Sequence, residues 1–365
     1  MRNRRICCFC ERWASGGIEA FLYNLLQADL TGLEVDVVTA QLEKNGWSEA
    51  LEAKGVRFIR LSGSLHSPAN YRAFRHLLRQ RQYDVVHLNL FQGLSLYYAR
   101  IARQEGVPVR IAHSHNAALR KSSTRWLKLL LHRFGRRCFT KDATDLWACS
   151  KAAADFLFAC DASHIPNGID TQRFRFHPTV RERLRRELAL TDCFVLGNMG
   201  RLCAQKNQVF LLEVFAQLVW LRPQSRLLLI GDGEDSTKLV HRARELGVEE
   251  KVLFRGQSKE VEQLLWVMDV FALPSLFEGL PMAAVEAQAS GLPVLCSQGL
   301  SPEMKLTENL RFLPLEAGAK AWAETLLNMN CEDRQQAADR VREAGFEARE
   351  VARQILQVYL GRNDG

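Results

Sequence analysis

The chain has 365 residues, of which 47% are hydrophobic and 25% charged, and it carries a formal net charge of +8. That length suits two domains of ordinary size, and the composition is that of a soluble globular protein. No run of 18 apolar residues occurs, so no membrane-spanning helix is expected. The apolar part of the first ten residues is too short for a signal peptide and has no small-residue cleavage site, so it reads as a first strand in a cytoplasmic protein.

The charge is uneven. Residues 1–170 hold 24 Lys and Arg against 15 Asp and Glu, whereas the remainder holds 25 against 26. The whole basic excess therefore lies in the first half, where an anionic partner is expected: a membrane surface, a phosphate-bearing acceptor or nucleic acid. Of the ten cysteines, Cys7, Cys8 and Cys10 crowd the first strand and the others are scattered from Cys138 to Cys331. They are expected as buried reduced thiols that pack as small hydrophobes.

In the first half, strand-like and helix-like stretches alternate. Ile6–Phe9 is a buried run, and Gly16-Gly17-Ile18-Glu19 follows a loop and opens an amphipathic helix over Ala20–Leu26. Further strands are expected at Val35–Val38, Val56–Leu61, Val85–Leu88, Val107–Ala112 and Leu146–Cys149. Helices are expected at Ser48–Ala53, Asn70–Leu78, Leu94–Ala102 and Trp126–Phe139. This rhythm implies a parallel, doubly wound sheet. Around the last of these helices, residues 120–137 are unusually basic. Lys121, Arg125, Lys128, His132 and Arg136 form one stripe at helical spacing, and Trp126, Leu127, Leu130, Leu131 and Phe134 form another. A basic amphipathic helix with a Trp matches an anionic membrane surface. An ordinary helix would instead turn the same apolar stripe onto its sheet.

Ile165-Pro166-Asn167-Gly168-Ile169-Asp170 is a turn signal that places a domain boundary near residue 170. The rhythm then repeats, with strands at Phe194–Met199, Arg226–Ile230, Val252–Arg255, Val267–Leu273, Val294–Ser297 and Leu310–Leu313. Helices are expected at Val209–Leu221, Lys238–Leu246, Val261–Trp266, Lys320–Met329, Asp333–Ala344 and Ala348–Tyr359, besides one between Pro281 and Gly291. The expected architecture is two tandem Rossmann-like α/β domains, 1–170 and 171–345, followed by a terminal helix in 346–365. Sheets of this kind bind ligands outside the carboxyl ends of their strands.

Four loops at such strand ends carry chemistry. After Val267–Leu273, Glu278 sits in a loop, Pro281 starts a helix, and Met282, Ala283 and Ala284 give its first turn small or unbranched side chains. A helix start of this kind is an anion site, since unpaired N–H groups and the helix dipole both favour negative charge. Glu286 lies eight residues beyond Glu278. A ligand with phosphate for the amides and hydroxyls for the carboxylates accounts for both, although each glutamate alone is as readily a solvated or capping residue. After Phe194–Met199 comes Gly200-Arg201-Leu202-Cys203-Ala204-Gln205-Lys206-Asn207, whose two cations can clamp a diphosphate, Arg as a fork and Lys as a movable point charge. Gly16 and Gly17 allow close approach of backbone to a ligand, or simply loop freedom. His113 and His115 end the strand Val107–Ala112, where a histidine either faces the ligand or packs.

On these residues the chain resembles the family 4 retaining glycosyltransferases. FEGLPMAAVEAQASGLPV resembles the E-x7-E signature of that family, with Glu278 and Glu286 as its pair. Gly200–Asn207 resembles its G-R-L-x-x-x-K-N element, and Gly16–Glu19 its G-G-x-E loop. The stretch RIAHSHN is similar to that of capsule and exopolysaccharide members. The resemblance covers nearly the whole chain and is strongest from Gly197 to Leu295. It implies a GT-B fold, with two sheets facing a central cleft and the last helix crossing back to the first domain. It further implies transfer of a sugar from a nucleotide-sugar donor, a UDP-sugar before a GDP-sugar, to a growing lipid-linked surface polysaccharide (capsule, exopolysaccharide or lipopolysaccharide). No metal or cofactor is implied, and the enzyme would be cytoplasmic or peripheral on the inner face of the membrane.

By the same resemblance Arg201 and Lys206 hold the donor diphosphate, Glu278 lies near the donor-sugar hydroxyls and Glu286 binds the ribose. Gly279, Leu280, Met282 and Ala283 shape the donor-sugar loop, Arg255 and Gly256 cradle the base, and Gly16 and Gly17 border the phosphate. The family histidine that bonds the donor sugar is assigned to His113, with His115 as the rival. A sugar-nucleotide epimerase of the same fold and a non-catalytic anion- or membrane-binding module are the alternatives. No G-x-G-x-x-G follows a strand, which argues against an NAD enzyme. The absence of aromatic–basic interleaving argues against nucleic acid.

Overall fold

The computed structural model describes residues 2–14, 16–119, 125–330 and 333–361; Arg120, Lys121 and Cys331, named above, lie outside the described residues. The chain divides into two compact units, one comprising Met1–Gly168 with Ala348–Gly365 and the other Ile169–Glu347.

The first unit is built, in chain order, from β1 (Arg4–Trp13), α1 (Gly17–Leu26), β2 (Leu33–Leu42), α2 (Gly46–Ala53), β3 (Arg57–Arg60), α3 (Pro68–Arg81), β4 (Val85–Leu90), α4 (Tyr97–Gln104), β5 (Val109–Ser114), α5 (Arg125–Phe139), β6 (Asp145–Ala148), α6 (Lys151–Leu157) and β7 (Ser163–His164). The strands form one parallel sheet in the order β3-β2-β1-β4-β5-β6-β7. Helices on both faces bury the central strands, which is why Ile6–Cys10 of β1 reads as a continuous apolar run rather than an alternating one. Within β1, Ile6, Cys8, Cys10 and Trp13 enter one core and Cys7 and Phe9 the other. Cys7 and Cys10 stand at C-x-x-C spacing, yet the two-residue period of a strand sends their thiols to opposite faces. Of the nine described cysteines seven are buried. Cys160 is exposed and Cys138 half-buried, which corrects the expectation of burial at those two positions.

The basic helix behaves as neither simple reading predicted. The buried side of α5 is His132, Gly135 and Phe139. Trp126, Leu127, Leu130, Leu131 and Phe134 face solvent, between 39% and 67% exposed. His132 leaves the basic stripe: its Nδ1 accepts from the Gly93 amide at 2.9 Å and its Nε2–H donates to the Phe156 carbonyl at 2.9 Å. Arg136 turns inward as well, donating to the carbonyls of Phe156 and Phe158. Arg125, Lys128, Arg133 and Arg137 remain as the exposed cations of the helix. Among the described residues, no helix is long and apolar enough to cross a membrane.

The second unit continues with α7 (Thr171–Phe174), α8 (Pro178–Glu187), β8 (Phe194–Met199), α9 (Gln208–Leu221), β9 (Ser225–Ile230), α10 (Ser236–Glu245), β10 (Val252–Phe254), α11 (Val261–Val267), β11 (Val270–Leu273), α12 (Met282–Ala289), β12 (Val294–Ser297), β13 (Leu310–Leu313), α13 (Gly318–Leu327) and α14 (Ala337–Val341). Its parallel sheet runs β10-β9-β8-β11-β12-β13. The apolar run Val267–Leu273 is not one strand. Val267 closes α11, and Met268 and Asp269 form the connection into β11, where Arg181 and Arg185 hold the Asp269 carboxylate at 2.5 and 3.1 Å. The helix expected at Asp333–Ala344 is shortened to α14 and followed by a wide turn, Arg342–Phe346, in which Gly345 takes φ +88°.

The chain ends in α15 (Ala348–Leu360), whose Val351, Ala352, Ile355, Leu356 and Tyr359 share the core of the first unit with α1 and β1.

Candidate active site

In the second unit the loops that follow β8, β9, β10 and β11 are tied together by backbone. Gly200 and Gly231 take φ +145° and +129°, and a Cβ built on Gly231 would overlap the Gly200 carbonyl oxygen. A side chain on Gly233 would meet the Leu202 carbonyl in the same way. The Gly231 amide donates to the Gly256 carbonyl at 2.7 Å, which draws in the loop after β10. Leu276 N donates to the Gln205 carbonyl at 2.8 Å, and Gln205 Nε2 donates to the Phe277 carbonyl at 3.0 Å, which draws in the loop after β11.

This lacing brings Lys206 and Glu278 together. Lys206 Nζ lies 2.7 Å from Glu278 Oε1, with the side chains only 16% and 11% exposed. Arg201 stands further out, paired with Glu234 at 3.0 Å, and both side chains are about half exposed. At the start of α12, Pro281 is the cap rather than the first helical residue, a one-position difference of the usual size. The Ala284 amide already bonds the Pro281 carbonyl at 3.0 Å, so of the three first-turn amides those of Met282 and Ala283 have no acceptor among the described residues. Gly291, at φ +68°, ends the helix.

Glu286 is half-buried, and its carboxylate accepts no hydrogen bond from the described residues. Burial pushes its carboxyl up to about 7, only partly opposed by the charge of Arg173; Glu262 reinforces the rise and Lys206 opposes it. A carboxylate held this way gains from any hydroxyl donor that replaces lost water. Gly279 and Leu280 are buried and Met282 half-buried, while Arg255 is exposed and Gly256, at φ +60°, is half-buried.

In the first unit Gly16 caps α1 in an extended conformation, and its carbonyl accepts from the Ala20 amide at 3.0 Å. A Cβ on Gly16 would lie 2.6 Å from Glu19 Oε2, whereas one on Gly17 meets open space. Glu19 is buried and accepts from the Ala14 amide at 3.1 Å. Gly16 is thus fixed by the glutamate that folds back over it, a more specific reason than loop freedom.

The two histidines differ. His113 lies inside β5, fully buried, with its ring parallel to His87 at 5.3 Å and edge-on to Phe21 at 5.1 Å. His87 bridges Tyr359 OH at 2.6 Å and His113 Nδ1 at 3.1 Å. His115 is the first residue beyond the strand and is 8% exposed. The Asn89 amide is oriented by its bond to the Phe9 carbonyl, so His115 Nε2–H donates to Asn89 Oδ1 at 2.9 Å. Its Nδ1 lies 3.1 Å from the Asn167 side chain, and burial lowers its pKa to about 3, which keeps the ring neutral.

Residues 180–343 match the family described as "Glycosyl transferases group 1", and residues 16–168 match the "Glycosyl transferase 4-like domain". EpsF of Bacillus subtilis (strain 168), named as a glycosyltransferase, is 30% identical over 361 residues, 94% of this chain and 93% of that protein. The chain belongs to the family 4 glycosyltransferases. A UDP-Gal:alpha-D-GlcNAc-diphosphoundecaprenol alpha-1,3-galactosyltransferase of Escherichia coli is 31% identical over 235 residues, covering 60% of this chain and 59% of that enzyme. Among solved structures, HepE of Anabaena in complex with UDP-glucose superposes with a TM-score of 0.79 at 20% identity, covering 98% of this chain and 99% of that one. WaaG, a glycosyltransferase involved in lipopolysaccharide biosynthesis, superposes with a TM-score of 0.73 at 17% identity, covering 98% and 100%. Two parallel-sheet Rossmann-like units with these neighbours make the fold of this glycosyltransferase GT-B.

Within the second unit of the glycosyltransferase, Lys206, Glu278, Gly279–Ala283 and Glu286 gather around one helix start, with Arg201, Arg255 and Gly256 on the adjoining loops. Gln205 and Arg173 were not anticipated. Gln205 falls among the three unspecified positions of the G-R-L-x-x-x-K-N element, and nothing in its spacing announces that it stitches two loops. Arg173 comes from α7, which has no apolar pattern to mark it.

Proposed function

We propose that this glycosyltransferase moves a sugar from a nucleotide diphosphate sugar, a UDP-sugar, to a lipid-linked surface polysaccharide under construction. It does so with retention of anomeric configuration and without a metal ion. The observation that carries the donor assignment is the convergence of the Lys206–Glu278 pair, two open helix-start amides and the unpartnered Glu286 carboxylate. The UDP-Gal donor of the Escherichia coli relative and the UDP-glucose held in the HepE complex support UDP as carrier, and the likeness to EpsF supports a polysaccharide product.

In this reading Lys206 and Arg201 bind the diphosphate and stabilise the negative charge that grows on it as the bond to the sugar breaks. The amides of Met282 and Ala283 add donors along the helix dipole. Glu286 takes the ribose hydroxyls, Glu278 those of the sugar, and the Arg255–Gly256 turn borders the base. The acceptor oxygen forms its bond on the face the leaving group vacates, and its proton passes to the departing diphosphate. His115, at the strand end, suits the sugar-bonding role better than His113, which β5 encloses. Calorimetric titration with UDP and GDP in the presence of chelator is expected to show micromolar affinity for UDP, abolished by Arg201→Ala with Lys206→Ala. Absence of binding to either nucleotide, or affinity that survives the double substitution, would refute the clamp.

The solvent-facing side of α5 supports a peripheral membrane location for the same enzyme. Five large apolar side chains flanked by four exposed cations fit an anionic bilayer, where each cation contributes about 1 kcal/mol near the surface. The protein is expected to float with phosphatidylglycerol vesicles, to release as salt is raised, and to lose most binding when Trp126 and Leu130 are both changed to glutamate. Equal binding of the wild type and this variant would sink the assignment.

A further inference from the structure

A second polar cluster occupies the carboxyl end of the first sheet, and the donor reading makes no use of it. Glu11, near the end of β1, is half-buried. Its Oε1 accepts from the Phe91 amide at 3.2 Å and from the Ser95 hydroxyl at 2.5 Å, both on the turn that follows β4. Its Oε2 accepts nothing from the described residues. Burial pushes the carboxyl up to about 7, with the Ser95 and Phe91 donors opposing the rise.

Beside it runs a short relay. Gln92 Nε2–H donates to His66 Nε2 at 2.8 Å, which leaves the ring proton on Nδ1, and Nδ1–H donates to the Tyr71 oxygen at 3.0 Å. Burial lowers His66 to about 4, so the ring stays neutral as the relay requires. The Tyr71 oxygen has then accepted, and its own O–H proton finds no acceptor among the described residues. Glu11 and the relay hang on one turn: Phe91 and Ser95 hold the carboxylate, and Gln92 between them leads through His66 to Tyr71. The phenol is pushed up to about 12, by burial first and then by Tyr97 and Glu11.

A free carboxylate oxygen and a free phenolic proton on neighbouring side chains match one chemical group, an alcohol, which donates to the first and accepts from the second. A phosphate is repelled by the carboxylate, and an apolar ligand leaves both partners unpaired and desolvated. The Tyr97 ring, 4.8 Å from Tyr71, and the exposed Phe91 provide the apolar surface that the C–H faces of a saccharide need. The same turn rests on α5. The Gly93 amide bonds His132, and a Cβ on Gly93 would overlap the His132 carbonyl. The cluster is therefore built against the inner side of the helix whose outer side is apolar and basic.

We infer that Glu11 Oε2 and the Tyr71 hydroxyl bind a hydroxyl of the acceptor saccharide, with Gln92 and His66 setting the direction of the Tyr71 proton. This rests on the transferase reading above. The test is saturation-transfer NMR of the full chain, saturated with UDP, against methyl α- and β-glycosides of glucose, galactose, mannose and N-acetylglucosamine. At least one glycoside is expected to contact the wild type, with its affinity falling tenfold or more in both Glu11→Gln and Tyr71→Phe while UDP affinity stays unchanged. The inference is overturned if no glycoside contacts the wild type, or if contact survives in both variants. A parallel loss of UDP affinity would assign the pair a structural role and overturn it equally. Failure of the wild type to bind any nucleotide would instead strike the transferase reading, which separates the two.

Discussion

Replacing Lys206 with alanine is expected to lower the transfer rate by about 10²–10³-fold, the usual effect of deleting one charge-stabilising donor at a reacting phosphate or oxyanion. The structure adds a second consequence. Lys206 Nζ is 2.7 Å from Glu278 Oε1 in a mostly enclosed position. Removing the cation leaves that carboxylate without its partner, and breaking a buried pair from one side typically costs about 3–5 kcal/mol. Arg201 offers the contrast: its pair with Glu234 is half exposed, and loss of such a pair costs about 0–1 kcal/mol. Lys206→Ala should therefore lower both kcat and the urea midpoint, whereas Arg201→Ala should weaken nucleotide binding at nearly unchanged stability. Adding Glu278→Gln to Lys206→Ala should recover stability but not activity. If kcat in Lys206→Ala stays within threefold of the wild type, the lysine does not stabilise the leaving group.

Gly231→Ala should be the most damaging glycine substitution in the loops after β8 to β11, destabilising the second unit by roughly 3–5 kcal/mol from strained backbone and overpacking together. Gly231 sits at φ +129°, where an L side chain is strained, and its added methyl would collide with the Gly200 carbonyl. That obstacle is backbone, so no rotamer change relieves it. Gly247 serves as the control, since it has φ +68° and open space around it, and there alanine should cost only about 1 kcal/mol. Urea unfolding of the two variants measures the difference. A gap below 1 kcal/mol would mean that the loops after β8 and β9 do not touch as described.

The buried strands were legible because a strand covered on both faces leaves a mostly apolar run, as in Phe194–Met199, which is β8 to the residue and is interrupted by the buried Asn198. The same property misled at Val267–Leu273, where the end of a buried helix and the start of a buried strand are equally apolar. α8 was not foreseen because its sequence, PTVRERLRRE, shows almost no apolar face. It is held instead by Arg181 and Arg185, which reach Asp269. The residues proposed to hold the donor could be read only one loop at a time. That Lys206 pairs with Glu278 was not, since a contact made by folding four strand-end loops together leaves no spacing to read. The histidines show the same limit: the pattern placed both at a strand end, and only the position of Ser114 as the last residue of β5 puts one inside the strand and the other beyond it.

The placement of α15 bears on how the chain is made. Its Ile355 and Tyr359 lie in one core with Ile6 and Cys8 near the start, while every strand of the second sheet lies between. During synthesis the whole second unit, from Ile169 to Glu347, is translated before the helix that seals the first unit. The N-terminal sheet must then wait with part of its apolar surface uncovered, and cannot close as a first-made domain usually does, while the rest of the chain is still being made.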